Sequence, residues 1–283
     1  RLDVAGEVGV EFWREFRGVC DAARADSVLV GELIHGDYTT HVGPGRLHSC
    51  TNYQTSKAIW SSLNDGNYFE LTHSVQREQE MYGSKGMTLL NFLGNHDTPR
   101  VCTRLTKPIE HYPLAATFLL TAGGVPCLYY GDEVGARGKG GGPDGDIAMR
   151  RAMVEVWSQR TAESNAMLEI TKKLVWLRRT SPALCDACAP TVILSNTNQQ
   201  LAFARIAPDK SQVAVVLMNC ANVELNWTVD FEHAPSTVLK EVLHDGTCLL
   251  DGLNPDGLQV EVRGRKIKAF MPPNSARVLL VDK

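Results

Sequence analysis

The sequence has 283 residues, of which 43% are hydrophobic and 22% are charged, and its formal net charge at pH 7 is −3. These values are typical of a globular protein with room for one large and one small domain. No run of like charges suggests a nucleic-acid or membrane surface, so neither is an expected partner. The longest apolar stretches, such as Leu114–Gly123, are far shorter than the roughly 20 residues of a transmembrane helix.

Up to about residue 180, short apolar runs alternate with amphipathic helical patterns. The apolar runs predict strands at residues 1–4, 27–31, 47–53, 87–93 and 125–130. The helical patterns include residues 69–81, 112–121 and 163–179, and an earlier helix has one apolar face made of Phe12, Phe16, Val19, Cys20 and Ala23. Strands that alternate with helices predict βαβ units and a parallel sheet.

From about Pro182 onward the helical periodicity gives way to short strands separated by turn residues. We predict strands at residues 201–206, 212–219, 225–229, 239–243, 259–262 and 276–281. This pattern indicates a small antiparallel β domain. We therefore divide the chain into a first domain of residues 1–181 and a second domain of residues 182–283.

Eight cysteines are spread along the chain without a paired framework, and we interpret them as buried thiols. Cys185 and Cys188 have the CxxC spacing of some metal and redox sites. No second pair of cysteines or histidines follows them, so we predict no such site there.

Three acidic residues, Asp3, Glu32 and Asp97, each lie at or just past the carboxyl end of a predicted strand. In a (β/α) barrel the loops at that end build the active site, so these carboxylates could converge. Retaining glycoside hydrolysis needs two such carboxylates about 5–5.5 Å apart. A single carboxylate is more often a helix cap or a solvated charge, and the topology alone leaves both interpretations open.

The residues around these acids resemble a known family. Residues 1–5 (RLDVA), 30–32 (VGE) and 95–97 (NHD) resemble, in the right order, three signature regions of glycoside hydrolase family 13, the α-amylase family. Residues 124–133 (GVPCLYYGDE) resemble that family's eighth barrel strand and the loop after it. The resemblance covers essentially the whole chain, because the C-terminal part resembles the family's β domain.

Finer details resemble the neopullulanase and cyclomaltodextrinase branch of that family. Glu7-Val8 follows the first motif, and Thr98-Pro99-Arg100 follows the third. Two departures leave the subgroup open. Gly6 stands where this branch commonly has Asn, and residues 33–38 lack the Trp-His pair that is typical of neopullulanases after the acid.

The resemblance implies a role for each matching residue. Asp3 would be the nucleophile, Glu32 the general acid/base, and Asp97 the carboxylate that binds and distorts the sugar. Arg1 and His96 would bind the substrate, and Arg1 would also keep Asp3 ionised by charge pairing. No cofactor is implied.

The resemblance also implies an α/β fold, namely a partial (β/α)8 TIM barrel with strands four to eight, followed by a small antiparallel β-sandwich domain. The family's first three strands and its inserted subdomain would precede Arg1. Because the family's calcium site often draws on that subdomain, we predict no calcium here. Five strands cannot close an eight-stranded barrel, so we expect instability or self-association through the open barrel edges.

The implied activity is hydrolysis of α-1,4-glucosidic bonds through a covalent glycosyl-enzyme intermediate. Its substrates would be α-glucans and maltooligosaccharides, with starch and cyclodextrins included, and we expect the chain to be inactive by itself. A glucanotransferase of the same family is an alternative, because it differs only in passing the glycosyl group to a sugar. A non-catalytic barrel homologue with a binding role is a second alternative, although such relatives typically lose one or more of the three carboxylates retained here.

Overall fold

Five parallel strand segments lie side by side in the N-terminal part of the chain. The structure is a computed structural model that describes residues 1–83, 86–142, 144–234, 236–254 and 256–281. The segments, in chain order, are Leu2, β1 (Val30–Gly31), β2 (Ser49–Cys50), β3 (Leu90–Phe92) and β4 (Val125–Cys127). β1 pairs with β2 and β3 pairs with β4, and single parallel bridges join Leu2 to Gly31 and Thr51 to Leu90.

Helices fill the connections between and after these strands. They are α1 (Val10–Ala23), α2 (Tyr53–Asp65), α3 (Phe69–Met81), α4 (Val101–Arg104), α5 (Pro108–Thr121), α6 (Met153–Ser158), α7 (Ala162–Thr180) and α8 (Pro182–Cys185). α2 begins where the side chain of Asn52 accepts a hydrogen bond from the Thr55 amide, and it ends at Gly66, whose φ of 59° suits glycine. The parallel order of strands and helices is that of a partial (β/α)8 barrel, as the sequence predicted.

The C-terminal part is a sandwich of antiparallel sheets. Its strands are β5 (Val192–Asn196), β6 (Gln200–Ile206), β7 (Val213–Asn219), β8 (Leu225–Asp230), β9 (Cys248–Asp251), β10 (Gln259–Glu261), β11 (Lys266–Met271) and β12 (Ser275–Val281). Six strands form one sheet in the order β10-β9-β12-β7-β6-β5, and β8 pairs with β11. This arrangement confirms the predicted small antiparallel β domain.

Strands β6 and β7 are buried on both faces, which explains their nearly continuous apolar sequences. On one face, Phe203 and Val216 join the core that includes Phe118 of α5. On the other face, Val215 and Leu217 join a second core, with residues of β8 and β11. The larger sheet therefore packs between the helical part of the chain and the smaller sheet.

Two buried arginines connect α5 to its surroundings. Arg178 of α7 donates hydrogen bonds to the carbonyls of Leu120, Ala122 and Gly124 over 3.3, 2.6 and 2.7 Å. Arg205 of β6 donates to the carbonyl of Thr121 over 2.9 Å, and burial lowers the pKa of Arg205 to about 9. These guanidiniums satisfy carbonyls that the end of a helix leaves without partners.

Several local predictions were wrong. Residues 239–243 were predicted as a strand, but Thr237–Val242 is a helix, α9, because Ser236 caps it by accepting a hydrogen bond from the Leu239 amide. The prediction that the cysteines are buried thiols is confirmed for Cys50, Cys102 and Cys220. It is wrong for Cys185 and Cys188, which are exposed, and the other three cysteines are only partly buried. Within the described ranges, no helix combines the length and apolar character needed to cross a bilayer.

Candidate active site

The first two acidic residues follow neighbouring strand segments. The amide of Glu32 donates a hydrogen bond to the carbonyl of Leu2 over 2.9 Å, so the ends of these two segments are aligned. Val4 then turns the chain with a left-handed φ of 46°, which is costly for a β-branched residue. In this conformation its amide donates a hydrogen bond to Oε2 of Glu32 over 3.0 Å. The turn after Asp3 therefore also holds Glu32.

The guanidinium of Arg1 brings the three acidic residues together. It pairs with Oδ1 of Asp3 through Nη1 and with Oε1 of Glu32 through Nη2, the latter over 2.6 Å. The same Nη2 lies 3.9 Å from Oδ2 of Asp97. Carboxylates from three separate strand ends thus surround a single guanidinium group.

Asp3 and Glu32 differ strongly in their exposure. The side chain of Asp3 is 72% exposed, whereas that of Glu32 is 9% exposed. Glu32 accepts hydrogen bonds at both oxygens, because the hydroxyl of Tyr53 donates to Oε1 over 3.4 Å and the Val4 amide binds Oε2. One carboxylate is therefore open to a ligand while the other is held in the wall of the site.

Asp97 lies in a short turn after β3. The side-chain oxygen of Asn95 accepts a hydrogen bond from the Asp97 amide over 2.9 Å, and Oγ1 of Thr98 accepts one from the Asn95 amide over 3.2 Å. Nε2 of His96 lies 2.9 Å from Oδ2 of Asp97. These local hydrogen bonds fix the turn and hold His96 and Asp97 side by side.

Arg150 was not predicted, but it lies at this site. It follows the short 3₁₀ helix Gly145–Met149 in the loop after β4. Its Nη2 donates a hydrogen bond to Oδ1 of Asp97 over 2.9 Å, and its Nε donates to the carbonyl of His96 over 3.1 Å. Because the loop has no periodic pattern, the one sign of Arg150 in the sequence is a basic residue after the last barrel strand.

Tyr53 was also missed, although the rule that selected the acids applies to it. It is the first residue of α2 and follows β2, as the acids follow their strands. Its hydroxyl accepts a hydrogen bond from the side-chain amide of Asn95 over 2.8 Å and donates to Glu32. Burial raises the pKa of Tyr53, and the charges of Glu32 and Asp97 raise it further. Tyr53 is thus a neutral hydroxyl that joins Glu32 to the turn of Asp97.

Arg100 connects the loops after β3 and β4 from within the protein. It is 1% exposed, and its Nη1 donates to the carbonyl of Tyr130 over 2.6 Å and to Oδ1 of Asp132 over 3.0 Å. Its guanidinium also lies 4.4 Å from the ring centroid of Tyr129. Burial raises the pKa of Asp132 to about 7, and the charge of Arg100 opposes this effect. This buried pair supports the loop that carries Arg150.

A groove of about 330 Å³ adjoins Glu32, and no residue of the turn of Asp97 lines it. Its walls include Val4, Glu7, Leu33, His35 and His41. The described residues contain no group of three or more His, Cys, Asp or Glu side chains that could hold a metal ion. In this arrangement an exposed carboxylate, Asp3, and a buried one, Glu32, can contact the same substrate beside an open groove.

Most of the chain is similar to known proteins. The family model described as "Alpha amylase, catalytic domain" matches residues 5–186. The chain is 28% identical to the maltogenic alpha-amylase of Bacillus acidopullulyticus over 273 residues, which are 95% of this chain and 44% of that protein. It is 30% identical to the cyclomaltodextrinase of Thermoanaerobacter pseudethanolicus over 257 residues, which are 88% of this chain and 42% of that protein. The chain thus spans less than half the length of both relatives.

A solved structure shows the same fold. The crystal structure of an Anoxybacillus alpha-amylase superimposes with a TM-score of 0.82 at 24% sequence identity. The superposition covers 99% of this chain and 58% of that one.

Proposed function

We propose that this chain, which belongs to the α-amylase catalytic-domain family, provides the nucleophile and the acid/base of a retaining α-glucan hydrolase. The observation that carries the proposal is the contact of one guanidinium, that of Arg1, with Asp3, Glu32 and Asp97. Retaining hydrolysis requires two carboxyl groups at close range, one to attack the anomeric carbon and one to protonate the leaving oxygen. The names of the two relatives, a maltogenic amylase and a cyclomaltodextrinase, support an α-glucan as substrate.

In this proposal Asp3 is the nucleophile. Its exposed carboxylate attacks the anomeric carbon while Arg1 orients it, and the bond to the leaving sugar breaks as the glycosyl-enzyme ester forms. Glu32 donates its proton to the departing oxygen and then takes a proton from the water that cleaves the ester. The groove beside Glu32 would receive the departing sugar and later the water.

Asp97, His96 and Arg150 would bind the sugar that is attacked. Asp97 is a charged acceptor for sugar hydroxyls, and such hydrogen bonds strengthen as positive charge develops on the ring. His96 offers a ring nitrogen beside it, and Arg150 fixes the carboxylate from the opposite oxygen. Tyr53 would hold the turn of Asp97 in a fixed position relative to Glu32, because its hydroxyl bonds both Glu32 and Asn95.

We further propose that the 283-residue chain by itself has little or no activity and associates with other copies. Among the described residues, the five strand segments form an open sheet, and Val125 in β4 and Val28 before β1 are 38% and 66% exposed. A sheet with exposed apolar positions and unpaired edges tends to associate. Size measurement of the isolated chain tests this, and a stable, active monomer would contradict it.

The test of the catalytic proposal uses the complete product of the gene that encodes this chain, with maltotriose and a cyclodextrin as substrates. Asp3→Asn should lower kcat by about a thousandfold or more, because no covalent ester can form. Asp21→Asn, which changes an acid on α1, is the matched control and should leave kcat unchanged.

The stereochemistry and the intermediate give independent readouts. NMR of the first product should show the α anomer, and a 5-fluoro-glucosyl fluoride should leave a mass increase on the peptide that contains Asp3. Inversion of configuration, or a label on another carboxylate, would overturn the assignment. Long oligosaccharides among the products would instead identify a glucanotransferase.

A further inference from the structure

A second cavity lies at the amino ends of β3 and β4. Its volume is about 380 Å³, and it lies between α3, α5 and the segment of residues 187–191. Asp3, Glu32 and Asp97 lie at the carboxyl ends of their strands, which in a parallel sheet form the opposite edge. The cavity shares no lining residue with the groove beside Glu32. It is therefore a separate site.

The walls of this cavity are mainly apolar, and most of its polar groups are already bonded. Val75, Met87, Leu89 and Phe118 supply much of the apolar surface. The side-chain amide of Gln79 donates a hydrogen bond to the carbonyl of Thr191 over 2.7 Å. The side-chain amide of Asn91 donates one to the carbonyl of Gly123 over 2.8 Å. Oγ1 of Thr191 accepts a hydrogen bond from the Gly123 amide over 2.8 Å. These bonds hold the walls together rather than offering partners to a ligand.

Among the described residues that line the cavity, Glu78 is the one with a charged side chain. Its Oε1 accepts hydrogen bonds from the hydroxyl of Thr55 and, over 2.9 Å, from the side-chain amide of Asn52. No hydrogen bond from another described residue reaches its Oε2, and Glu78 lines the cavity. Among the described residues, the charge of Arg77 on the same helix acts on Glu78, but the two side chains form no ion pair.

The carboxyl group of Glu78 thus lines a mainly apolar cavity, and no other described residue bonds its second oxygen. Burial raises the pKa of Glu78, and the hydrogen bonds from Thr55 and Asn52 oppose this effect. An acidic group in such surroundings is stabilised by a cation that pairs with it and displaces water from the apolar walls. A cavity with one convergent charged group and apolar walls has the form of a small-molecule site.

We propose that this cavity binds a small organic cation whose ammonium group pairs with Glu78 and whose apolar body, about the size of one ring, fills the space beside Phe118. The proposal does not depend on the proposed catalysis. The probe is benzylamine, and benzyl alcohol, which has the same ring and no charge, is its neutral counterpart. At pH 8 the protein should bind benzylamine at least tenfold more tightly than benzyl alcohol, as measured by ligand-observed NMR.

Two glutamates on α3 provide a matched pair of variants. Glu78→Gln keeps Oε1 as an acceptor for Thr55 and Asn52, so the fold should survive, but benzylamine affinity should fall at least tenfold. Glu80→Gln changes an exposed acid on the same helix and should leave the affinity unchanged. Equal benzylamine affinity in the wild type and in Glu78→Gln would overturn the proposal, as would equal binding of benzyl alcohol or no binding of either probe.

The position of the bound probe can be tested without any variant. Cys188 lines the cavity and is exposed, whereas Cys185 is exposed but does not line it. Benzylamine should slow the alkylation of Cys188 by iodoacetamide several-fold and leave that of Cys185 unchanged. Unchanged rates at both cysteines, at a benzylamine concentration that saturates the NMR signal, would place the probe elsewhere and overturn the proposal.

Discussion

Arg150 donates a hydrogen bond to Asp97 over 2.9 Å across a separation of 53 positions in the chain. A second bond from Arg150, to the carbonyl of His96, holds the guanidinium against this turn. The loops after β3 and β4 therefore meet at the acid that we assign to sugar binding. Two arginines, Arg1 and Arg150, approach Asp97 at different oxygens.

Removal of Arg150 should impair activity more than stability. In Arg150→Ala of the complete gene product, Asp97 loses a charge-assisted hydrogen bond, and kcat/KM for maltotriose should fall about tenfold. The pair is half-exposed, so the free energy of unfolding should change by less than about 1 kcal/mol. Steady-state kinetics and urea unfolding measure the two effects. Arg151→Ala is the control, and an equal loss of activity in both variants would contradict a specific role for Arg150.

A methyl group at Gly31 should disturb the position of Glu32. A Cβ atom there would lie 2.5 Å from Cδ1 of Leu47 and 3.1 Å from Cβ of Ala5. Gly31→Ala should therefore lower the free energy of unfolding by about 1–3 kcal/mol and reduce kcat, because Glu32 is the next residue. At Gly9 a Cβ would meet no atom within 4 Å, so Gly9→Ala should change little. Wild-type stability in Gly31→Ala would show that the strand end can shift.

The ion pair of Arg277 and Asp251 in the β domain should be important for stability. Their side chains are 3% and 0% exposed, and Nη1 of Arg277 lies 2.8 Å from Oδ2 of Asp251. Arg277→Met should lower the free energy of unfolding by about 3–5 kcal/mol, since it leaves a buried charge without its partner. Arg263→Met removes an exposed pair with Glu261 and should cost less than about 0.5 kcal/mol. Similar urea midpoints for the two variants would refute this assignment.

Glu78 should make stability depend on pH in a defined direction. Burial raises the pKa of Glu78 in the folded protein above its value in the unfolded chain, which is about 4.3. Protons then bind more readily to the folded state, so the contribution to stability is present below pH 4 and is lost as the pH rises through the raised pKa. The free energy of unfolding of Glu78→Gln minus that of the wild type should therefore be larger at pH 8 than at pH 4. Urea unfolding at both values tests this, and Glu80→Gln should show no such trend.

The family resemblance rested on four short motifs, and the match of residues 5–186 to the α-amylase catalytic domain confirms it. Asp3, Glu32 and Asp97 could be selected because apolar runs mark the ends of buried parallel strands. Arg150 could not be selected in this way, since its contact with Asp97 depends on how an irregular loop folds back. The catalytic roles of these residues remain predictions.

The remaining errors have physical causes of two kinds. Short apolar runs suit a helix as well as a strand, and at residues 237–242 the cap of Ser236 decided for the helix. Strands β5, β9 and β11 were also not predicted, although β11 alternates exposed and buried residues along its length. The apolar face of α1 illustrates the second kind, because Phe12 and Val19 are 53% and 68% exposed. Periodicity identifies an apolar face but does not reveal what covers it.

The buried arginines at the end of α5 make the two halves of the chain mutually dependent. If the β sheets were cut away, the carbonyl of Thr121 would lose the guanidinium of Arg205, and Phe118 would lose its neighbour Phe203. The helical half would then have a carbonyl without a hydrogen-bond partner next to an aromatic ring exposed to solvent. Heating should consequently melt both halves in a single cooperative transition, and neither half is suited to expression as an independent module.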